Sequence, residues 1–241
     1  MAIRTDGRTD TDLRTLVLTP GWLPQAEGSC LVELGDTRVI AAASVSDGVP
    51  KWLAGKGTGW VTAEYGMLPR ATNTRNRRPA NATQQSGRTM EIQRLIGRAL
   101  RSVTDLSLLG ERTVTIDCDV IVADGGTRTA SIIGAAVALH TAGTFCTSRG
   151  LTQEHPMREL VAAISVGIHG KRVLVDLNYE EDSGADVDMN IVMTESGGLV
   201  EIQGTAEKAV FDRVALDSMT DAASDAIRTI VSIQKNTLGI T

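Results

Sequence analysis

The sequence predicts an α+β fold composed of two similar β-α halves. Three observations lead to this prediction. Apolar runs that break at glycines indicate β-hairpins, and stretches with apolar residues at three- and four-residue steps indicate helices. Hairpins are followed by helices twice along the chain, and we expect hairpin-rich sheets with helices packed against them.

The first half begins with a hairpin pattern over residues 29–45. Two apolar runs flank Gly35 and Asp36, a dipeptide typical of a tight turn between antiparallel strands. A polar, proline-containing stretch without periodicity follows over residues 70–87 and predicts a long loop. Helical spacing of apolar residues then predicts a helix over residues 92–103.

The next helix is predicted to start near Thr129 or Ser131 and to run to about Ala142, because apolar residues recur there at helical spacing. A β-rich stretch leads up to it and breaks at two adjacent glycines, Gly125 and Gly126. The chain therefore passes from a strand through a glycine turn into the start of a helix.

This turn has the chemistry of a phosphate-binding loop. Gly125 and Gly126 allow main-chain N–H groups to approach an anion, and the start of a helix directs unpaired N–H groups toward the same place. Arg128 adds a charged guanidinium group, and Thr127 adds a hydroxyl group. A tight turn without a ligand is the alternative. The sequence lacks the Gly-Lys-Ser/Thr and G-x-G-x-x-G motifs of nucleotide-binding loops, so a bare phosphate or one phosphate of a polymer fits better.

The second half repeats the hairpin pattern. Residues 162–177 form a strand pair that turns at Gly170, and a further pair of strands, 188–194 and 199–203, flanks a glycine-containing turn at 195–198. Helical periodicity returns over two further stretches, residues 205–216 and 220–234.

Composition and length predict one globular domain over residues 1–241. The chain is 42% hydrophobic and has no linker long enough to divide it. The polar N-terminus and the absence of a run of ~20 apolar residues lead us to expect a soluble, cytoplasmic protein that does not associate with membranes. The three cysteines are widely spaced, which favours buried thiols over disulfides or a zinc site.

Positive charge is concentrated in one part of a chain whose net charge is -5. Residues 70–101 contain eight arginines and one acidic residue. Arginine binds phosphate through two hydrogen bonds, so this stretch suggests contact with a polyanion, and a solvated surface loop is the alternative. Arg88, at the predicted start of a helix, is a candidate for a second arm of the phosphate site or an arginine without a partner.

Carboxylates are concentrated in the stretch from residue 178 to residue 190, which contains five of them. Asp188 opens a predicted strand, and Asp182 is placed to face it across a turn. Two facing carboxylates would hold a divalent cation or supply a general acid, and each would perturb the protonation of the other. An acidic surface turn is the alternative.

The sequence resembles the ribonuclease PH family over nearly its whole length. The matching stretches are Arg4–Arg8, Ala26–Ser29, Gly59–Arg70, Gly87–Arg98, Asp124–Ser131 and Asp186–Asn190. The stretch from Arg77 to Ser86 resembles the family least. The resemblance implies a fold like ribosomal protein S5 domain 2 and a homohexameric ring built as a trimer of dimers.

The resemblance also implies an activity, phosphorolytic 3′-to-5′ trimming of tRNA precursors. Inorganic phosphate is then a co-substrate, nucleoside 5′-diphosphates are released, and nucleotide addition is the reverse reaction. Mg²⁺ is expected to take part. The implied site residues are Arg88, Gly126, Thr127 and Arg128 for phosphate, Asp182 and Asp188 for catalysis or Mg²⁺, and Arg70, Arg75 and Arg78 for RNA.

Two other functions are weighed against this one. A non-catalytic RNA-binding ring subunit would lack active-site residues, and none of those implied here is missing. A small-molecule kinase would need an ATP-phosphate loop, and none is present.

Overall fold

The structure, a computed structural model, describes residues 4–77, 86–208 and 210–240. Two sheets and four helices form within these residues. The strands are β1 (Leu16–Pro20), β2 (Gly28–Leu34), β3 (Thr37–Asp47), β4 (Trp60–Met67), β5 (Arg112–Val122), β6 (Val161–His169), β7 (Arg172–Val175), β8 (Val187–Thr194) and β9 (Leu199–Ala206). The helices are α1 (Gly87–Ser102), α2 (Thr127–Ser148), α3 (Tyr179–Gly184) and α4 (Arg213–Leu238). The predicted α+β class is confirmed.

The first sheet has the strand order β1-β2-β3-β5-β4. Neighbouring strands are antiparallel except β4 and β5, which are parallel because α1 lies between them in the chain. Alternate residues of β3, such as Val39, Ala41 and Ala43, are buried, so one face of this sheet packs against the core. Strand β5 ends just before the glycine turn, so the sheet fixes the position of that turn.

The second sheet has the order β7-β6-β8-β9 and is antiparallel throughout. The central strand β6 is buried along almost its whole length, because α2 and α4 both pack against it. The predicted hairpins at 29–45, 162–177 and 188–203 are confirmed. All three cysteines are buried and free, as predicted.

Helix α2 lies between the two sheets and contacts β2, β3 and β5 on one side and β6 on the other. Small residues allow this close packing: a Cβ atom on Gly134 would lie 2.5 Å from Val32, and one on Gly28 would lie 2.0 Å from the carbonyl oxygen of Ala138. By length and composition α2 could cross a bilayer, but 78% of its most apolar window is buried inside the protein. We conclude that α2 is a core helix.

The structure differs from the predicted elements at five places. The helix predicted over residues 205–216 is wrong up to residue 212, because β9 continues its pairing with β8 to Ala206 and α4 starts only after its N-cap, Asp212; residues 213–216 are helical. Helix α2 starts at Thr127, earlier than predicted, and a short helix, α3, occupies the predicted acidic turn. Strands β1 and β4 were not predicted.

Candidate active site

The glycine turn after β5 adopts the conformation that the sequence predicted. Gly125 and Gly126 have φ angles of +72° and +65°, in the left-handed region that favours glycine. Gly126 is the N-cap of α2 and provides no side-chain cap, so the first N–H groups of the helix have no capping side chain. Together with Thr127 and Arg128 these glycines form what we call the phosphate loop.

The hydroxyl of Thr127 is fixed by a neighbouring strand. The hydroxyl of Tyr65, on β4, donates a hydrogen bond of 3.0 Å to Thr127 Oγ1. Burial raises the pKa of Tyr65, although this bond and the nearby arginines oppose the rise, so the phenol stays protonated and remains a donor. Sequence reasoning assigned no role to Tyr65, and only its place in a family-like stretch could have indicated one.

Arg128 is held on one side only. Its Nη1 donates to Gln203 Oε1 at 2.9 Å and lies 3.5 Å from Glu91 Oε1, and Gln203 in turn donates to Glu91. Nε and Nη2 of Arg128 have no hydrogen-bond partner among the described residues. The guanidinium therefore keeps two donors for a ligand in the cleft.

Arg88 is the second residue of α1. The side chain of the N-cap Ser86 accepts a hydrogen bond from the Thr89 N–H group, which fixes the start of the helix. Arg88 is exposed, and its charge acts to lower the pKa of Asp182 against the effect of burial, so its guanidinium and that carboxylate lie within electrostatic reach. The sequence prediction of a second arginine near the phosphate loop agrees with this position.

The two aspartates lie on consecutive elements of the second sheet region. Asp182 is on α3, and Asp188 is at the start of β8, opposite Gly167 of β6. The Oδ1 atom of Asp188 is buried and has no hydrogen-bond partner among the described residues. A buried carboxylate oxygen without a partner is costly when charged, so this atom is suited to hold a proton or a cation.

The protonation of the pair follows from this environment. Burial, followed by the charge of Asp182, raises the pKa of Asp188 to about 6, while Arg128 opposes the rise. Burial also raises the pKa of Asp182, and here Arg88 and Arg128 oppose it. The pKa of Asp188 therefore lies closer to neutral pH than that of an ordinary aspartate.

One cleft of about 940 Å³ joins these groups. Seven of the predicted site residues line it, namely Arg70, Arg88, Gly126, Thr127, Arg128, Asp182 and Asp188. Arg75 is exposed outside the lining, and Arg78 lies outside the described residues. The described residues form no cluster of three or more His, Cys, Asp or Glu side chains that could hold a metal ion.

Sequence reasoning missed a buried network of charges beside the cleft. Arg14 is paired with Asp176, at 2.7 Å, and Arg4 is paired with Glu181 of α3. Glu181 also closes a capping box with Asn178 at the start of α3. The two arginines are more than 160 residues from their acidic partners in the chain, so no local pattern could have paired them.

Two family models match most of this chain. The model described as "3′ exoribonuclease family, domain 1" matches residues 12–144, and that for domain 2 of the same family matches residues 159–226. The chain belongs to the 3′ exoribonuclease family. Arg88 and the phosphate loop lie in the first match and the two aspartates lie in the second, so the cleft draws on both.

Solved structures with the same fold include exosome components. An Archaeoglobus fulgidus exosome with RNA bound to the active site is 25% identical, with a TM-score of 0.80, and the match covers 95% of this chain and 92% of that one. Rice (Oryza sativa) Rrp46 is 21% identical, with a TM-score of 0.79 and coverage of 98% and 100%. An archaeal exosome core is 24% identical, with a TM-score of 0.78 and coverage of 97% and 91%. These matches confirm the predicted fold class.

Proposed function

We propose that this protein is a phosphorolytic 3′-to-5′ exoribonuclease that removes nucleotides from the 3′ extensions of tRNA precursors. Inorganic phosphate is the nucleophile, and nucleoside 5′-diphosphates are released. The observation that carries the proposal is one cleft in which a phosphate loop faces two aspartates, both with raised pKa values. The reverse reaction adds nucleotides from diphosphates.

The phosphate loop and Arg88 bind and orient inorganic phosphate. Arg128 offers two free donors, Thr127 a fixed hydroxyl, and the glycines their N–H groups. A phosphate oxygen attacks the phosphorus of the terminal phosphodiester, and the bond from this phosphorus to the 3′ oxygen of the preceding nucleotide breaks. The arginines offset the charge that builds on the attacked group, which is the main contribution a protein makes to phosphoryl transfer.

The leaving 3′ oxygen needs a proton to become the new 3′ hydroxyl group. Asp188, with a pKa of about 6, is partly protonated just below neutral pH and can donate it. Asp182 places a second carboxylate beside it and favours the protonated form of Asp188. The products are then a nucleoside diphosphate and an RNA shorter by one nucleotide.

RNA reaches the cleft along its arginine-rich rim. Arg70 is exposed and lines the cleft, and the exposed Arg75 follows it on the same segment. Only 3% of the residues are aromatic, so backbone phosphates rather than stacked bases are the main contact. The local positive charge allows a chain of net charge -5 to bind a polyanion.

The carboxylates of Asp182 and Asp188 fit a Mg²⁺ ion in part. The unpartnered Oδ1 of Asp188 is a suitable oxygen ligand, and Mg²⁺ commonly uses one or two protein carboxylates together with water and substrate phosphates. When bound, the ion would supply positive charge to the phosphate oxygens.

The test is to incubate the protein with a tRNA that has a short 3′ extension, with and without inorganic phosphate, and to identify the released nucleotides. We expect diphosphates that appear only with phosphate. Asp188→Asn should release none, whereas Asp217→Asn, an exposed aspartate on α4, should behave as the unmodified protein. Monophosphates released without phosphate would show a hydrolase and refute the proposal.

A second candidate is an RNA-binding subunit of a mixed ring. It is favoured by the solved structures of the same fold, which are an exosome with bound RNA, an archaeal exosome core and Rrp46. Our proposal instead requires a homohexamer. The mass of the purified chain in solution separates the two, because a mixed-ring subunit would not form a hexamer alone.

A further inference from the structure

We propose that Thr37 and Arg14 are positioning residues that orient the N–H groups of the phosphate loop toward the bound phosphate. Both are buried, neither lines the cleft, and neither belongs to the site described above. The inference rests on the proposed function, since it concerns the affinity of the same loop for inorganic phosphate.

Thr37 holds the loop through a single hydroxyl. Thr37 is fully buried at the start of β3, and its Oγ1 donates to the carbonyl oxygen of Gly125 at 2.7 Å. The same oxygen accepts a hydrogen bond of 2.9 Å from the N–H group of Asp124. One side chain therefore fixes the peptide groups on both sides of the turn.

Arg14 contacts the carbonyl groups of Asp124 and Gly125 in the same turn. Its Nη1 donates to the carbonyl oxygen of Asp124 at 2.5 Å, and its Nη2 lies 3.5 Å from that of Gly125. The guanidinium is itself held by the fully buried carboxylate of Asp176 through Nε, at 3.0 Å, and Nη2, at 2.7 Å. The position of the guanidinium is thus fixed by Asp176 and by the carbonyl groups of the loop.

Because the peptide bond is planar, the hydrogen bonds to these carbonyl groups also orient the N–H groups of the same peptides. In a planar trans peptide, the carbonyl of one residue and the N–H of the next point in opposite directions. Because the carbonyls of Asp124 and Gly125 point toward Arg14 and Thr37, the N–H groups of Gly125 and Gly126 point away from them. Neither N–H donates to any of the described residues, and both glycines line the cleft, so both donors are available to an anion.

The same contacts join the phosphate loop to the aspartates. Asp176 directly follows β7 with a φ of +57°, rare for a residue other than glycine, and α3 begins three residues later, at Tyr179. A Cβ on Gly125 would lie 2.6 Å from backbone atoms of this segment, so the loop and the start of α3 are in direct contact. Arg14 therefore also ties the phosphate loop to the segment that leads into α3, the helix that carries Asp182.

The test compares Thr37→Val, which keeps the shape but removes both hydrogen bonds, with the conservative Thr37→Ser. We measure KM for inorganic phosphate and kcat at saturating RNA. Thr37→Val should raise KM for phosphate about tenfold, with a smaller fall in kcat, and Thr37→Ser should stay within about twofold. Thr104→Val removes a buried hydroxyl that donates to the carbonyl oxygen of Leu100, away from the cleft, and should change neither constant.

An unchanged KM in Thr37→Val, with active unmodified protein, overturns the inference and leaves the proposed function standing. If the unmodified protein releases no diphosphates, the proposed function fails. Phosphate should then still raise the unfolding temperature of the unmodified protein and not that of Thr37→Val, and equal rises would overturn the inference. Should Thr37→Val not fold, Arg14→Lys takes its place in the same measurements, because lysine keeps a cation beside Asp176 but cannot hold both carbonyls.

Discussion

Replacing Asp188 by asparagine should abolish activity and stabilise the fold. The carboxylate is half-buried, its Oδ1 has no partner among the described residues, and Asp182 adds a second negative charge nearby. Ionisation of this side chain therefore lowers the stability of the folded protein. Asparagine has the same shape without the charge, so the variant removes this penalty and the proton donor together.

The size of the gain follows from the pKa of Asp188. A rise from the ordinary value of 3.8 to about 6 is about 2 pKa units, and each unit corresponds to about 1.36 kcal/mol. The upper limit is therefore about 3 kcal/mol at neutral pH. Because the side chain is partly open to water, we expect a gain of about 2 kcal/mol, or about 4–8 °C in unfolding temperature for a chain of this size.

The gain in stability of Asp188→Asn should depend on pH in a defined direction. Between pH 3.8 and about 6 the folded protein binds the Asp188 proton more tightly than the unfolded chain, so this group lowers stability as pH rises through that window. The advantage of Asp188→Asn should be full at pH 7.5 and about half as large at pH 5.

The assay is thermal unfolding in EDTA at both pH values, so that no cation offsets the charge. Asp186→Asn is the control, because hydrogen bonding from Gly170 lowers the pKa of this neighbouring carboxyl and its removal should bring no gain. An unfolding temperature of Asp188→Asn equal to or below that of the unmodified protein at pH 7.5 would show that the Asp188 carboxylate carries no such penalty.

Three further predictions concern the phosphate loop and the RNA path. Arg128→Ala should lower kcat/KM for phosphorolysis about 10²–10³-fold without unfolding the protein, and full activity would remove Arg128 from the site. Gly125→Ala and Gly150→Ala both place alanine at positive φ, but only the first meets backbone atoms at 2.6 Å. Denaturant unfolding should show a loss of about 1 kcal/mol for Gly150→Ala and a larger one for Gly125→Ala, and equal losses would contradict the packing described. Arg70→Ala should raise KM for RNA more than Arg75→Ala, because only Arg70 lines the cleft, and the reverse order would place the RNA elsewhere.

Local chemistry was sufficient to predict the glycine turn that leads into α2. Gly125 and Gly126 precede a stretch of helical periodicity, and the structure places both at positive φ, immediately before the first residue of the helix. That this turn binds an anion stays a prediction. The hairpins were equally local, since their turns and alternating apolar residues lie within short stretches.

Contacts between distant parts of the chain could not be predicted in this way. Nothing near Thr127 in sequence indicates that Asp188 shares its cleft, and only the family resemblance brought them together before the structure did. The pairing of Arg14 with Asp176 spans 162 residues and has no sequence pattern. The helix predicted over 205–216 was wrong at its start because pairing with β8, a tertiary contact, extends β9 to Ala206, inside an apparently helical stretch.

The phosphate loop is continuous with helix α2, which lies in the core of the molecule. Its first residue carries the loop hydroxyl, and its body is enclosed by both sheets. The hydrogen-bonded interior of such a helix is expected to open only when the entire structure unfolds, so its amide hydrogens should exchange with solvent water at the slow rate of global unfolding. Laboratory evolution for heat resistance would thus preserve the proposed anion site without selecting for it, and new specificity would more readily arise in the exposed arginine segment.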